Sequence, residues 1–227
     1  MEDHKTKNAR VDLDETVANI ELTLISIIQA IPLGILAERI VDPMLHREWA
    51  LLLYGSIGLL SIFVFWSRAL IHTLSFIGWP LDFTHNFLYI LTTLIQSAVI
   101  AQIANPSGWY SLGAVYSVGV WVMYVVDLRM IRMQLSSVTD ANAHALLLDV
   151  LDDQIRNIRV YFPIGTVFNA VAWVCVVFFP ATFVEGGWHI ALAALQLIAG
   201  CLYLWEGYGI LRRRNDRILR RNIDAID

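Results

Sequence analysis

The sequence predicts an all-α integral membrane protein with six transmembrane helices arranged as three hairpins and both termini cytoplasmic. Composition, charge-free segments and the placement of basic residues carry that prediction. Of 227 residues, 57% are hydrophobic and 16% charged, with a mean hydropathy of +0.59. Ordinary soluble domains are roughly 45–50% apolar and about 25% charged. Six Pro and 13 Gly exclude a collagen-like or low-complexity chain. The two cysteines, Cys175 and Cys201, lie in apolar stretches, too few and too deep for a disulfide framework. A net charge of −4 and a pI near 5.8 give no general basic surface for nucleic acid.

The first span, 20–40, is built on the apolar run Ile20 to Ala37, which carries Glu21 near its start and Pro32 inside. A proline is tolerated there if neighbouring helices satisfy the freed carbonyl. The second span, 49–67, is the 19-residue gap between Glu48 and Arg68. A helix needs about 20 residues to cross a bilayer. The third and fourth, 86–104 and 109–127, share the 44-residue uncharged run from Phe83 to Val126. That run is too long for one helix, and Asn105-Pro106-Ser107-Gly108 divides it with turn chemistry. The fifth, 160–183, sits in the 25 residues between Arg159 and Glu185, and the sixth, 188–206, in the 20 between Glu185 and Glu206. No strand alternation is present, and the lengths suit helices rather than the roughly 10-residue strands of an outer-membrane barrel.

Basic residues set the orientation. Three precede the first span (Lys5, Lys7, Arg10), Arg68 follows the second, four join the fourth and fifth (Arg129, Arg132, Arg156, Arg159), and six follow the last. With both termini inside, 14 of the 16 are cytoplasmic, a strong positive-inside bias. Residues 1–19 form a cytoplasmic segment of mixed charge rather than a cleavable signal, residues 20–206 the membrane domain, and residues 207–227 an Arg-rich tail. The predicted location is a cell membrane, inner or plasma.

A weak repeat accompanies the hairpins. Trp109 precedes Asp127 by 18 residues, Trp188 precedes Glu206 by 18, and Trp49 precedes Arg68 by 19. Eighteen residues rise about 27 Å, so Trp marks the outer interface and the charge the inner one. Small residues recur every seven positions at Gly186, Ala193, Gly200 and Gly207, a stripe on which another helix can pack closely, within the bundle or between subunits. Residues 140–158 read as a cytoplasmic amphipathic helix, with Leu146, Leu147, Val150, Leu151, Ile155 and Ile158 between acidic residues. It is expected to dock on protein, because its acidic face is repelled by anionic lipid. Arg212, Arg213, Arg214, Arg217, Arg220 and Arg221 are the candidate contact for anionic lipid or a cytoplasmic protein partner, with a helical extension pairing them to Asp149, Asp152 and Asp153 as the alternative.

Polar residues in a span tend to face a bundle interior, a cavity or a partner. Glu21, Arg68, Asp127, Arg159 and Glu206 fall near one level, at the expected cytoplasmic interface. They form either a salt-bridge network or an ion mouth in which Glu21, Asp127 and Glu206 collect cations. Deeper lie Gln29, Thr92, Gln96, Asn169 and Gln196, which bond helix to helix or line a polar path. Acidic and basic residues are absent at mid-depth, which argues against a voltage sensor or a charged proton relay. Nucleotide, zinc and nucleophile motifs are missing from the sequence. No cofactor is predicted; His46, His72, His85 and His189 support a two-haem arrangement only weakly. The favoured expectation is an oligomeric ion channel of identical subunits in the bilayer. A non-conducting anchor, sensor or assembly subunit acting through the cytoplasmic helix and tail is the alternative.

Overall fold

The computed structural model describes the backbone of residues 2–75, 83–139 and 141–224, and side chains within 16–69, 83–139 and 141–209 except residues 17, 18, 21 and 142. Among these residues the chain is helical throughout its ordered elements, without strands, and six helices are long and apolar enough to cross a membrane. In order they are α1 (Glu2–His46), α2 (Trp49–Ser75), α3 (Phe83–Ala101) and α4 (Pro106–Leu135). There follow α5 (Ala141–Arg156), a π turn (Asn157–Tyr161), α6 (Phe162–Phe178), a second π turn (Ala181–Glu185) and α7 (Trp188–Asp224).

Local chemistry explains the joints. Asn105 has extended backbone angles, and its side chain accepts from the Gly108 amide at 3.2 Å. Pro106 follows at the first helical position, where its missing N–H costs nothing. α1 and α2 are separated by Arg47-Glu48, with Arg47 at φ 56°, a left-handed conformation that usually falls to glycine. Gly187, at φ 73°, takes that role before Trp188 opens α7.

Several helices run beyond the apolar spans. α4 continues eight residues past Asp127, and α7 continues through the Arg-rich segment to Asp224. Hydropathy marks where a chain leaves an apolar phase, whereas a helix ends at a residue that breaks it. Residues 128–135, Leu-Arg-Met-Ile-Arg-Met-Gln-Leu, are almost all good helix formers. The expected amphipathic helix and fifth span are likewise one continuous rod, α5 through α6, joined by the π turn. Within that turn the Phe162 amide reaches back to the Asn157 carbonyl. The wider ring lies where Pro163 supplies no N–H.

α4 is the central post. It packs on α3, α5 and α6, while α1 bridges α2 and α3. α6 lies mainly on α4 and α7 mainly on α2, so α6 and α7 touch each other little despite their short connection. One core cluster joins Leu36, Tyr54, Ile100, Trp109, Tyr110, Ala172 and Ala193; a second joins Ile25, Phe65, Tyr89, Val120, Met123 and Tyr124. A third, of Ile131, Leu147 and Val150, seats the apolar stripe of α5 against the end of α4. The outer faces are apolar and exposed, as at Val167 and Val171 on α6 and Leu195, Ile198 and Leu202 on α7.

Close approach of α4 and α6 depends on Gly113, where a Cβ would stand 2.7 Å from Asn169 Oδ1. Gly113→Leu is expected to lower stability by about 1–3 kcal/mol through overpacking. A melting temperature equal to wild type would refute that packing.

Candidate functional site

The polar residues of the interior are laid out in tiers. The first tier lies where α2 and α7 leave the apolar layer. Arg68 Nη1 meets Asp153 Oδ2 at 2.6 Å, Arg156 Nη2 meets Asp153 Oδ1 at 2.8 Å, and Arg156 Nη1 meets Glu206 Oε1 at 2.8 Å. Three helices are thus tied by alternating charges. The Tyr161 hydroxyl donates to Glu206, and the Tyr203 hydroxyl donates to Asn157 Oδ1 at 3.0 Å. Arg68 also lies over the Tyr203 ring, 5.1 Å from its centroid, a cation–π arrangement. The π turn is what brings Asn157 and Tyr161 into this tier; such turns recur at functional sites.

Beyond that tier is a half-open cavity of about 200 Å³ between α2, α4 and α7, with Phe162 of α6 at its edge. Its polar wall carries Ser61, Arg68, Tyr116, Ser117, Tyr124, Gln196 and Tyr203; Ile57, Leu60, Val64, Phe65 and Val120 make the rest apolar. Each helix contributes through helical spacing: Ser61, Phe65 and Arg68 from α2, Tyr116, Val120 and Tyr124 from α4, and Gln196, Gly200 and Tyr203 from α7. Among the described residues, Arg68 is the only charged side chain in the wall. Gln96 of α3 stands behind it, donating to Ser61 Oγ at 3.2 Å and to the Tyr116 hydroxyl at 3.1 Å. Its Oε1 has no hydrogen-bond partner although the residue is buried.

The far end of the cavity is closed. Trp109 Nε1 donates to Gln196 Oε1 at 3.1 Å, and Gln196 Nε2 reaches Asn169 Oδ1 at 3.4 Å. Above them the Tyr54 hydroxyl lies 3.0 Å from His189 Nδ1 and 3.4 Å from the Tyr110 hydroxyl, which donates to the His189 carbonyl at 3.1 Å. Tyr54, Trp109 and Tyr110 are fully buried. From His189 to Glu206 the tiers span about 25 Å along α7.

The residues singled out from sequence separate into different roles. Arg68 and Glu206 belong to one network, linked through Asp153 and Arg156. Asp127 is buried elsewhere, 2.7 Å from His85 Nδ1 of α3. Arg159 is exposed. The side chains of Glu21, His72 and the six arginines between 212 and 221 lie outside the described residues. Gln196 and Asn169 join the cavity's far wall, and Gln96 braces its side. Gln29 instead bonds Thr93 Oγ1 at 3.2 Å between α1 and α3, and Thr92 packs beside Gly119. Gly200 and Gly207 face α2, where added Cβ atoms would lie 2.7 Å from Leu60 and 3.2 Å from Arg68. Ala193 is fully buried, and Gly186 sits in the connection before α7.

Sequence reasoning missed Tyr116, Tyr124 and Tyr203, because tyrosine carries no charge and the spans follow from charge-free runs. Their spacing with Gln196 and Arg68 on the three wall helices was the available signal. Among the described residues, no group of three His, Cys, Asp or Glu side chains is arranged to hold a metal ion. No family model, curated protein or solved structure matches the chain.

Proposed function

We propose that this multi-pass protein is a membrane conduction protein whose path runs through the interior of one six-helix bundle. The cavity carries this reading: a half-open, mostly apolar space between α2, α4 and α7 presents a few polar side chains, with further polar tiers toward each end of the bundle. The Arg68–Asp153–Arg156–Glu206 network serves as the cytoplasmic gate, and Tyr54, Trp109 and Tyr110 with His189 serve as the outer gate. The bias in basic residues supports a cytoplasmic position for both termini.

The wall chemistry sets the preference. Among the described residues the wall offers a cation no carboxylate, and the Tyr116 hydroxyl, which accepts from Gln96, is left to donate to a solute that accepts hydrogen bonds. The cargo is therefore a small anion or neutral polar molecule rather than a cation drawn to an acidic mouth. Because the path lies within one subunit, homo-oligomerisation has no required part in it.

Purified protein in liposomes tests this. Flux of chloride or a small carboxylate above that of protein-free vesicles, and above potassium flux, is expected. Folded protein with no flux of any of these would refute conduction and favour the anchor or sensor alternative.

A further inference from the structure

Arg68 has two sides. Its Nη1 is committed to Asp153, while its Nη2 lies beside Gly207, 3.2 Å from where a Cβ at that position would stand. Gly207 belongs to a second hollow, also of about 200 Å³, in the outer groove between α2 and α7. Arg68, Val64 and Tyr203 line both this groove and the cavity between α2, α4 and α7. The groove's rim is open, with Phe63 48% and Tyr208 63% exposed.

We propose that this groove binds an anionic phospholipid, with its phosphate on Arg68 Nη2 and an acyl chain along Phe63, Val64 and Leu204. Charge and depth both point to that occupant. Ser67 and Tyr208 line the same groove as Arg68 and bring two hydroxyl groups to it, and a phosphate accepts several such bonds at once. Arg68 lies 19 residues after Trp49, about 28 Å along the helix, which matches the level of a headgroup if Trp49 marks the opposite interface. Below that level the groove is apolar, as an acyl chain requires. Glycine at 207 keeps the approach to Nη2 clear. The proposal does not depend on conduction.

The test uses the full-length protein in detergent, with melting temperature read against added dioleoylphosphatidylglycerol, dioleoylphosphatidylcholine or inorganic phosphate. Phosphatidylglycerol at a hundredfold excess over its Kd is expected to raise the wild-type melting temperature by about 5–10 °C. Phosphatidylcholine and inorganic phosphate should give little shift. Ser67→Leu fills the groove from α2 and Gly207→Val from α7, and both keep the arginine tail. Each should lose at least half of the phosphatidylglycerol shift. Full shifts in both variants would overturn the assignment and place the lipid on the tail. A phosphatidylcholine shift as large as that of phosphatidylglycerol would overturn the role of charge. An equal shift from inorganic phosphate would overturn the acyl-chain contact.

Discussion

Asp153→Asn is expected to destabilise the protein by about 3–5 kcal/mol, the usual cost of breaking a buried ion pair from one side. Asp153 is 9% exposed and takes Arg68 on one oxygen and Arg156 on the other. Neutralising it leaves Arg68, only 16% exposed at its side chain, without its counter-charge. Arg156 retains Glu206 at 2.8 Å, so the damage concentrates on the α2–α5 contact. The double variant Arg68→Gln with Asp153→Asn removes both charges together and is expected to recover much of the loss. Thermal melts of the four proteins measure this coupling. Additive effects of the two substitutions would show that Arg68 and Asp153 do not support each other.

Ser117→Leu is expected to reduce flux at least tenfold while leaving the bundle folded. Ser117 lies in the cavity wall on α4, where its hydroxyl donates to the Gly113 carbonyl at 2.9 Å within the same helix. The substitution therefore removes no helix-to-helix bond, and the melting curve reads any overpacking against Gly165 of α6, whose added Cβ would stand 4.0 Å from Ser117 Oγ. Leucine in place of serine adds two heavy atoms and a branched apolar tip to the wall of a cavity of about 200 Å³. Steric occlusion should dominate over any change in stability. Solute flux measured beside a melting curve separates the two, and undiminished flux from a stably folded variant would remove the cavity from the path.

The helical, membrane-spanning character was legible because it depends on summed properties. Nineteen uncharged residues before Arg68 and the Asn105-Pro106 break each have one simple reading at bilayer scale. The way in which helices face one another was not legible. Hydropathy treats every direction around a helix alike, so it placed Asp127 and Glu206 in one ring although they take partners on different helices. On the cytoplasmic helix Asp153 was read as an alternative partner of the tail arginines, and Arg156 as one of the basic residues that set the orientation. Their part in the network arises because the π turn carries α5 directly into α6 and holds these side chains against α2 and α7. The cavity was hidden for a related reason: Tyr116, Tyr124 and Tyr203 are mostly apolar by area, and only packing decides where their hydroxyls lie. The seven-residue stripe on α7 was visible, yet its neighbour, Leu60 of α2 at Gly200, follows from tertiary geometry alone.

The most direct test of the central claim is modification of a cysteine placed in the cavity during flux. Ser117→Cys would be made with Cys175 and Cys201, the two free native cysteines, replaced by alanine, and the protein reconstituted in liposomes. A water-soluble thiol reagent added during transport should label position 117 and suppress flux in step with labelling. Flux that continues unchanged after position 117 is fully labelled would contradict a path through the bundle interior.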